Sequence, residues 1–250
     1  MKNNLALVTG GAKRIGREIS ITLAKKGYDI LLSYNNSQKE AQDLSDEIKS
    51  NFGVNCFIYK SDLTKISEAK KLAEFALNIS NNWSLLVNNA SIFNRSKFLS
   101  AKEDELEINM NIHFNSPLIL SKELAINANK QSLKNCQIIN LIDKNIARFD
   151  TSYFYYLLSK KSLADLTKML SLELAPNIRV NGIAPGFILN PIDGEGEFAK
   201  KTEEIIKKIP LQNKGDVSNI CQTVEFLLDN NFVNGQILSI DGGASLNHAG

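Results

Sequence analysis

Cysteine and histidine are scarce in this 250-residue chain. Its three cysteines, Cys56, Cys136 and Cys221, lie far apart. They make neither a CxxC metal pair nor a disulfide framework. Two histidines, His113 and His248, leave little for a zinc site, and no metal is expected. No apolar run nears the roughly 18 residues of a membrane-spanning helix. A dominant charge sign is also missing: 29 Lys+Arg against 27 Asp+Glu leave +2 with no basic block, so nothing points to nucleic acid. Met1–Asn4 runs directly into Leu5–Val8 without a signal-type apolar region, which predicts a cytoplasmic protein. Hydrophobic content of 43% with 22% charged residues excludes a disordered chain. Neither an internal repeat nor a Pro- or Ser-rich linker divides it.

What is present is an alternation. Strand-like apolar runs occur at Leu5–Thr9, Asp29–Tyr34, Asn55–Lys60, Leu85–Asn88, Gln137–Leu141, Ile178–Ile183 and Gln236–Ile240. Between them lie stretches of helical period; in one, Ile15, Ile19, Thr22 and Leu23 share a face opposite Arg17, Glu18 and Lys25. Strands separated by helices require crossover connections. The expected class is α/β: one doubly wound parallel sheet of about seven strands, covered by helices on both faces, with residues 1–250 as a single domain. Residues 186–213 depart from the alternation. Pro185, Pro191 and Pro210, with Gly194 and Gly196, surround a helical centre at Phe198–Lys208, the pattern of a substrate-loop insertion.

The first strand leads into Thr9–Gly16, TGGAKRIG, and then a helix. Glycine permits a tight turn and lets phosphate approach main-chain N–H groups at a helix start. Alone, it also reads as an ordinary strand–helix turn. The second strand ends Tyr34-Asn35-Asn36-Ser37, with no acid before Glu40 to hold a ribose 2′-hydroxyl, while Lys13 and Arg14 stand in the glycine turn. This favours a 2′-phosphate, hence NADP(H). The bland alternative makes Lys13 and Arg14 solvated helix-start residues.

Four motifs, in order, span nearly the whole chain: Thr9–Gly16, Asn88-Asn89-Ala90-Ser91, Tyr156-x-x-x-Lys160, and Pro185-Gly186 after Val180-Asn181-Gly182; Asp241-Gly242-Gly243 follows. In these the chain resembles the short-chain dehydrogenase/reductase family, which implies a Rossmann-type sheet. The resemblance implies that Asp62 meets adenine, that Asn89 and Ala90 line the cofactor, and that Lys160 bonds the nicotinamide ribose. It extends the cofactor set to Gly10, Lys13, Arg14, Ile15, Tyr34, Asn35, Asn36, Ser37, Leu63, Ser91, Tyr156, Pro185, Gly186 and Ile188. The chain departs from the family pattern in four places. Arg14 replaces the middle glycine, Ser91 ends NNAS in place of NNAG, Asp143 stands where a serine precedes the tyrosine by 13 residues, and His113 falls on the family's asparagine position. The first three departures are similar to the pteridine reductase branch, and Ile112–Pro117 resembles bacterial dihydromonapterin and dihydrofolate reductases within it. In that branch an aromatic two residues after NNAS stacks on the pterin; here it is Phe93.

Tyr156 and Lys160 share a helix face, and a nearby ammonium is expected to lower the phenol's pKa. Asp143, just past a strand end, can relay a proton but makes phenol deprotonation harder. That suits protonation of a C=N nitrogen; the alternative makes Asp143 a loop residue bonding main chain. Tyr156, Lys160 and Asp143 are the catalytic candidates; Arg14, Ser91, Phe93, Asp143 and Tyr156 are the substrate candidates. A bare Phe93 would read as core, and His113 reads first as structural. Arg95 and Lys97 read as a solvated loop, with an acidic folate tail as the alternative. The expected function is NADPH-dependent reduction of a small-molecule dihydropteridine: dihydromonapterin, dihydrobiopterin or dihydrofolate. A 3-oxoacyl-thioester or other carbonyl reductase, and a non-catalytic NADPH-binding regulator, are the alternatives. The amphipathic stretches Ser116–Ala128 and Ser159–Leu174 suit a homo-oligomer interface, a tetramer by resemblance.

Overall fold

Runs rich in Leu, Ile and Val form strands, and the amphipathic stretches between them form the covering helices. The computed structural model describes residues 3–189 and 197–247. The strands are β1 (Leu5–Val8), β2 (Asp29–Tyr34), β3 (Cys56–Lys60), β4 (Trp83–Asn88), β5 (Cys136–Leu141), β6 (Ile178–Pro185) and β7 (Ile237–Ile240). All pair in parallel, in the order β3-β2-β1-β4-β5-β6-β7. The helices are α1 (Arg14–Lys25), α2 (Gln38–Phe52), α3 (Ile66–Ile79), α4 (Glu105–Met110), α5 (Ser116–Gln131), α6 (Phe154–Glu173), α7 (Glu197–Lys207) and α8 (Val217–Asp229).

Strand residues alternate between two apolar layers because successive side chains point to opposite faces. Ala6, Val8, Ile30 and Leu32 pack with Ile19 and Leu23 of α1, Leu44 of α2 and Val224 of α8. Leu5, Leu7 and Leu31 pack with Leu72 of α3 and Leu120 and Leu124 of α5, joined by Leu170 of α6. The expected doubly wound sheet with helices on both faces is therefore what the chain forms.

Two boundaries differ from expectation by more than one residue. β4 begins at Trp83 rather than Leu85, because the fully buried indole donates Nε1–H to the Leu85 carbonyl (3.0 Å) and locks the strand start. β6 runs on to Pro185, which pairs with Ile240. Within the segment 186–213, the helical centre is α7; residues 190–196 lie outside the described residues. Among the described residues no helix is long and apolar enough to cross a membrane. The stretches expected at an interface leave Ile126, Met169 and Leu172 exposed.

The order of the strands reverses between β1 and β4, which are adjacent in the sheet but distant in sequence. The carboxyl ends of such strands diverge into a crevice, the usual ligand position in open α/β sheets.

Candidate active site

The glycine turn is tied to the end of β4 by a small clamp. Thr9 Oγ1 accepts from the Asn89 and Ala90 amides (2.9 and 3.0 Å), and Asn89 Nδ2 donates to the Thr9 and Gly10 carbonyls (2.9 and 3.0 Å). Asn89, expected to line a cofactor, spends its side-chain amide on shaping the turn. Gly10 has φ +60°, and a Cβ there would stand 3.0 Å from Ala90 Cα. A Cβ on Gly16 would lie 2.3 Å from the Gly10 carbonyl oxygen. Gly10 and Gly16 leave no room for a side chain, and main chain there stays bare for a ligand. Lys13 caps α1 without a side-chain hydrogen bond, and the first turn carries no acid. The positive end of the helix thus remains available to an anion. Arg14 adopts φ 56°, a left-handed conformation that suits glycine.

Lys13 Nζ meets Glu40 Oε1 at 2.5 Å, an exposed pair. Sequence reading noted Glu40 only as the first acid after β2; the fold carries it onto Lys13. Tyr34 is buried, while Asn35 and Asn36 are exposed and Ser37 is half-buried. Asp62 Oδ1 accepts from Thr64 Oγ1 (2.7 Å) and from its amide (3.3 Å), which hold this carboxyl below its ordinary pKa against the opposing effect of burial. Leu63 packs in one apolar layer and Ile188 in the other. Both side chains are buried in these layers.

Asp143 follows β5, and Tyr156 and Lys160 lie one turn apart on α6. Tyr156 Oη donates to Asp143 Oδ2 (2.8 Å), while Asp143 Oδ1 accepts from the Asn145 amide (2.7 Å). Asp143 thus bonds main chain and holds the phenol at once. Lys160 Nζ is buried and donates to the Leu141 carbonyl (2.7 Å). Burial pushes Lys160 down to about 8, opposed by the Asp143 charge. Tyr156 goes the other way. Burial first, then the charge of Asp143 and the hydrogen bond to it, raise the phenol well above its usual value. The expected lowering by Lys160 is therefore corrected. The ammonium lies 5.9 Å from the ring centroid and is bonded to main chain, whereas the carboxyl group touches the hydroxyl.

His113 sits in a π-helical turn, Asn111–Asn115, between α4 and α5 and is 1% exposed. Nε2 lies 2.8 Å from Ser91 Oγ and Nδ1 lies 2.8 Å from Ser159 Oγ. Its ring packs edge-on against Tyr156, with centroids 5.3 Å apart. Burial, then the Lys160 charge, lower its pKa well below the usual histidine value, with a main-chain hydrogen bond at Asn109 opposing. Asn111 faces elsewhere, donating to the Thr64 carbonyl (2.8 Å). His113, not the neighbouring asparagine, is the residue beside the tyrosine.

Phe93 is 54% exposed, so it is not core. It stacks on Tyr153 (centroids 4.5 Å apart, 12° between planes) and meets Tyr156 edge-on at 4.8 Å. Arg95 Nε donates to Tyr153 Oη (3.1 Å). A bridge pairs Ser96 with Tyr153 and fastens the loop after β4 to the loop before α6. Tyr153 and Ser159 escaped sequence reading. The signal for Ser159 was its place three residues after Tyr156, on the same helix face. Nothing local announced Tyr153, because its partner lies across the fold. The free thiols Cys56 and Cys136 are buried, and Cys221 is half-buried, all away from this site.

A family model described as enoyl-(acyl carrier protein) reductase matches residues 10–245. The 3-oxoacyl-(acyl-carrier-protein) reductase of Staphylococcus aureus is 31% identical over 248 residues, covering 95% of this chain and 96% of its own length. Among solved structures, FolM alternative dihydrofolate reductase 1 from Brucella canis, complexed with NADP, is similar with a TM-score of 0.89. It is 30% identical and covers 99% of this chain and 96% of its own. The acetoin dehydrogenase of Enterobacter cloacae is similar with a TM-score of 0.87. It is 25% identical, with 98% of each chain covered.

Proposed function

The chain belongs to the short-chain dehydrogenase/reductase family of oxidoreductases, and from that premise we propose that it reduces a dihydropteridine to the tetrahydro form with NADPH. The substrate class is dihydromonapterin, dihydrobiopterin or dihydrofolate. The observation that carries this reading is the Tyr156–Asp143 contact of 2.8 Å. A carboxyl group beside the phenol disfavours an oxyanion forming there, as ketone reduction requires. It suits delivery of a proton to a ring nitrogen instead. The similarity to an alternative dihydrofolate reductase supports the same choice.

The residues present fit an NADP(H) molecule. The bare turn at Gly10 and Gly16, the uncapped start of α1, and the cations Lys13 and Arg14 are the groups that would hold its phosphates. The Asn35–Ser37 end of β2 would face its adenosine ribose and Asp62 its adenine. Bound there, it supplies hydride to a pterin ring carbon. Lys160, which donates to the Leu141 carbonyl, is the residue that would hold the nicotinamide ribose. Tyr156 gives its proton to the ring nitrogen while Asp143 relays a solvent proton back to Oη, so that no phenolate is left beside the carboxyl group. Phe93, already at the mouth, offers a flat face to a flat heterocycle. The protein assembles as a homo-oligomer through the apolar strip of α5 and α6.

A second reading, reduction of a 3-oxoacyl thioester, draws support from the Staphylococcus aureus relative. The test is NADPH oxidation followed by absorbance, with 7,8-dihydromonapterin, 7,8-dihydrofolate and acetoacetyl thioester in parallel. Turnover of the pterins, lost in Tyr156→Phe and Asp143→Ala, supports the proposal. Turnover of the thioester alone overturns it, and NADPH binding without any turnover points to a regulator.

A further inference from the structure

The hydrogen bonds around His113 fix a polarity that neither the motifs nor the family relationship specifies. Ser159 has one proton, and it goes to the Tyr156 carbonyl (2.8 Å). Towards His113 Nδ1, at 2.8 Å, Ser159 Oγ can only accept. Nδ1 therefore carries the ring proton. On the other side, the Ile92 amide donates to Nε2 at 3.4 Å. That bond independently requires Nε2 to be unprotonated. The two observations agree on one neutral tautomer, and the burial of the ring keeps it neutral.

The consequence falls on Ser91, which is exposed at the end of the NNAS turn. Its Oγ lies 2.8 Å from the unprotonated Nε2, which also accepts from the Ile92 amide, and 3.2 Å from the Ile92 carbonyl. Both neighbours accept, so the hydroxyl proton is directed into the protein. We propose that His113 acts through Ser91 as a specificity-positioning residue, leaving Ser91 to present only lone pairs to the crevice. The site then selects ligands that bring an N–H donor to this point, such as the amino or ring N–H edge of a pterin. A ketone or thioester carbonyl, which offers only lone pairs, finds no donor in Ser91. A serine whose proton were free would serve both, so the discrimination comes from the histidine behind it. This deepens the pterin reading and rests on it.

Two measurements test it separately from that reading. In long-range proton–nitrogen spectra of the unliganded wild type, assigned against His113→Asn, the ring should appear as the neutral Nδ1–H tautomer. An Nε2–H tautomer overturns the proposal whether or not any pterin is reduced. The second measurement is a kinetic cycle with dihydropterin. His113→Asn keeps a donor near the Nδ1 position but removes the acceptor facing Ser91, and should raise KM about tenfold with little change in kcat. His113→Gln, whose carbonyl oxygen reaches the Nε2 position, should restore KM to within about threefold. In a Ser91→Ala background the His113→Asn effect should vanish. An equal effect with and without the Ser91 hydroxyl means that His113 merely supports the fold, and overturns the proposal. A wild type that reduces no pterin defeats the pterin reading, while the tautomer still decides how Ser91 is polarised.

Discussion

Replacing Lys160 by methionine should change how folding stability depends on pH in one predictable window. The ammonium is fully buried and titrates near 8, against an ordinary lysine value of 10.5. Between these values the unfolded chain holds a proton that the folded chain has released. Stability therefore rises with pH across the window, and the penalty of burying the charge is greatest below it. From pH 7.5 to 9.5 the linkage amounts to about 2 kcal/mol. Methionine fills a similar volume and carries no titrating group. The free energy of unfolding, from urea titrations of wild type and Lys160→Met at matched protein concentration, should differ between the proteins by an amount that shifts in favour of wild type by that figure. Cys56 and Cys136, raised to about 11 by burial, act in the opposite direction but cancel in the difference. A difference that stays flat between the two pH values would refute the argument that burial, rather than the Asp143 charge, governs Lys160.

Three further outcomes are expected. Asp143→Ser should cut pterin-dependent NADPH oxidation by roughly 100-fold or more. It should also make Tyr156 more acidic, read as tyrosinate absorbance against a Tyr156→Phe control, since the carboxyl group no longer raises the phenol. Gly16→Ala drives a Cβ into the Gly10 carbonyl at 2.3 Å and should lower stability by about 2 kcal/mol or more in thermal unfolding. Glu40→Gln breaks an exposed pair with Lys13 and should leave the thermal unfolding midpoint essentially unchanged, while fluorescence titration shows NADPH binding several-fold tighter.

The sheet was legible in the sequence because its signal is local. Seven apolar runs and the glycine turn carry their own periodicity and turn chemistry. The pairing of Asp143 with Tyr156 was legible as well, through a spacing of 13 residues. Electrostatics was half legible: the Asp143 effect on the phenol was expected, the weakness of the Lys160 effect was not. Sequence places Lys160 one helical turn from Tyr156, but only the fold shows that the Leu141 carbonyl holds the ammonium while the carboxyl group touches the phenol. Asn89 shows the same limit: its motif position suggested a ligand contact but did not reveal that its Nδ2 braces the glycine turn. Hydrogen-bond direction around His113 depends on Ser159 and Ile92, from segments that meet only after folding.

The left-handed backbone at Arg14 has a consequence for anyone engineering this enzyme. Glycine would occupy that conformation at about 1 kcal/mol lower strain. A library selected only for heat resistance should therefore drift to Arg14→Gly and look improved, while shedding a cation from the proposed phosphate site. Screening at limiting NADPH would reverse the ranking, so the choice of selection pressure decides which residue survives there.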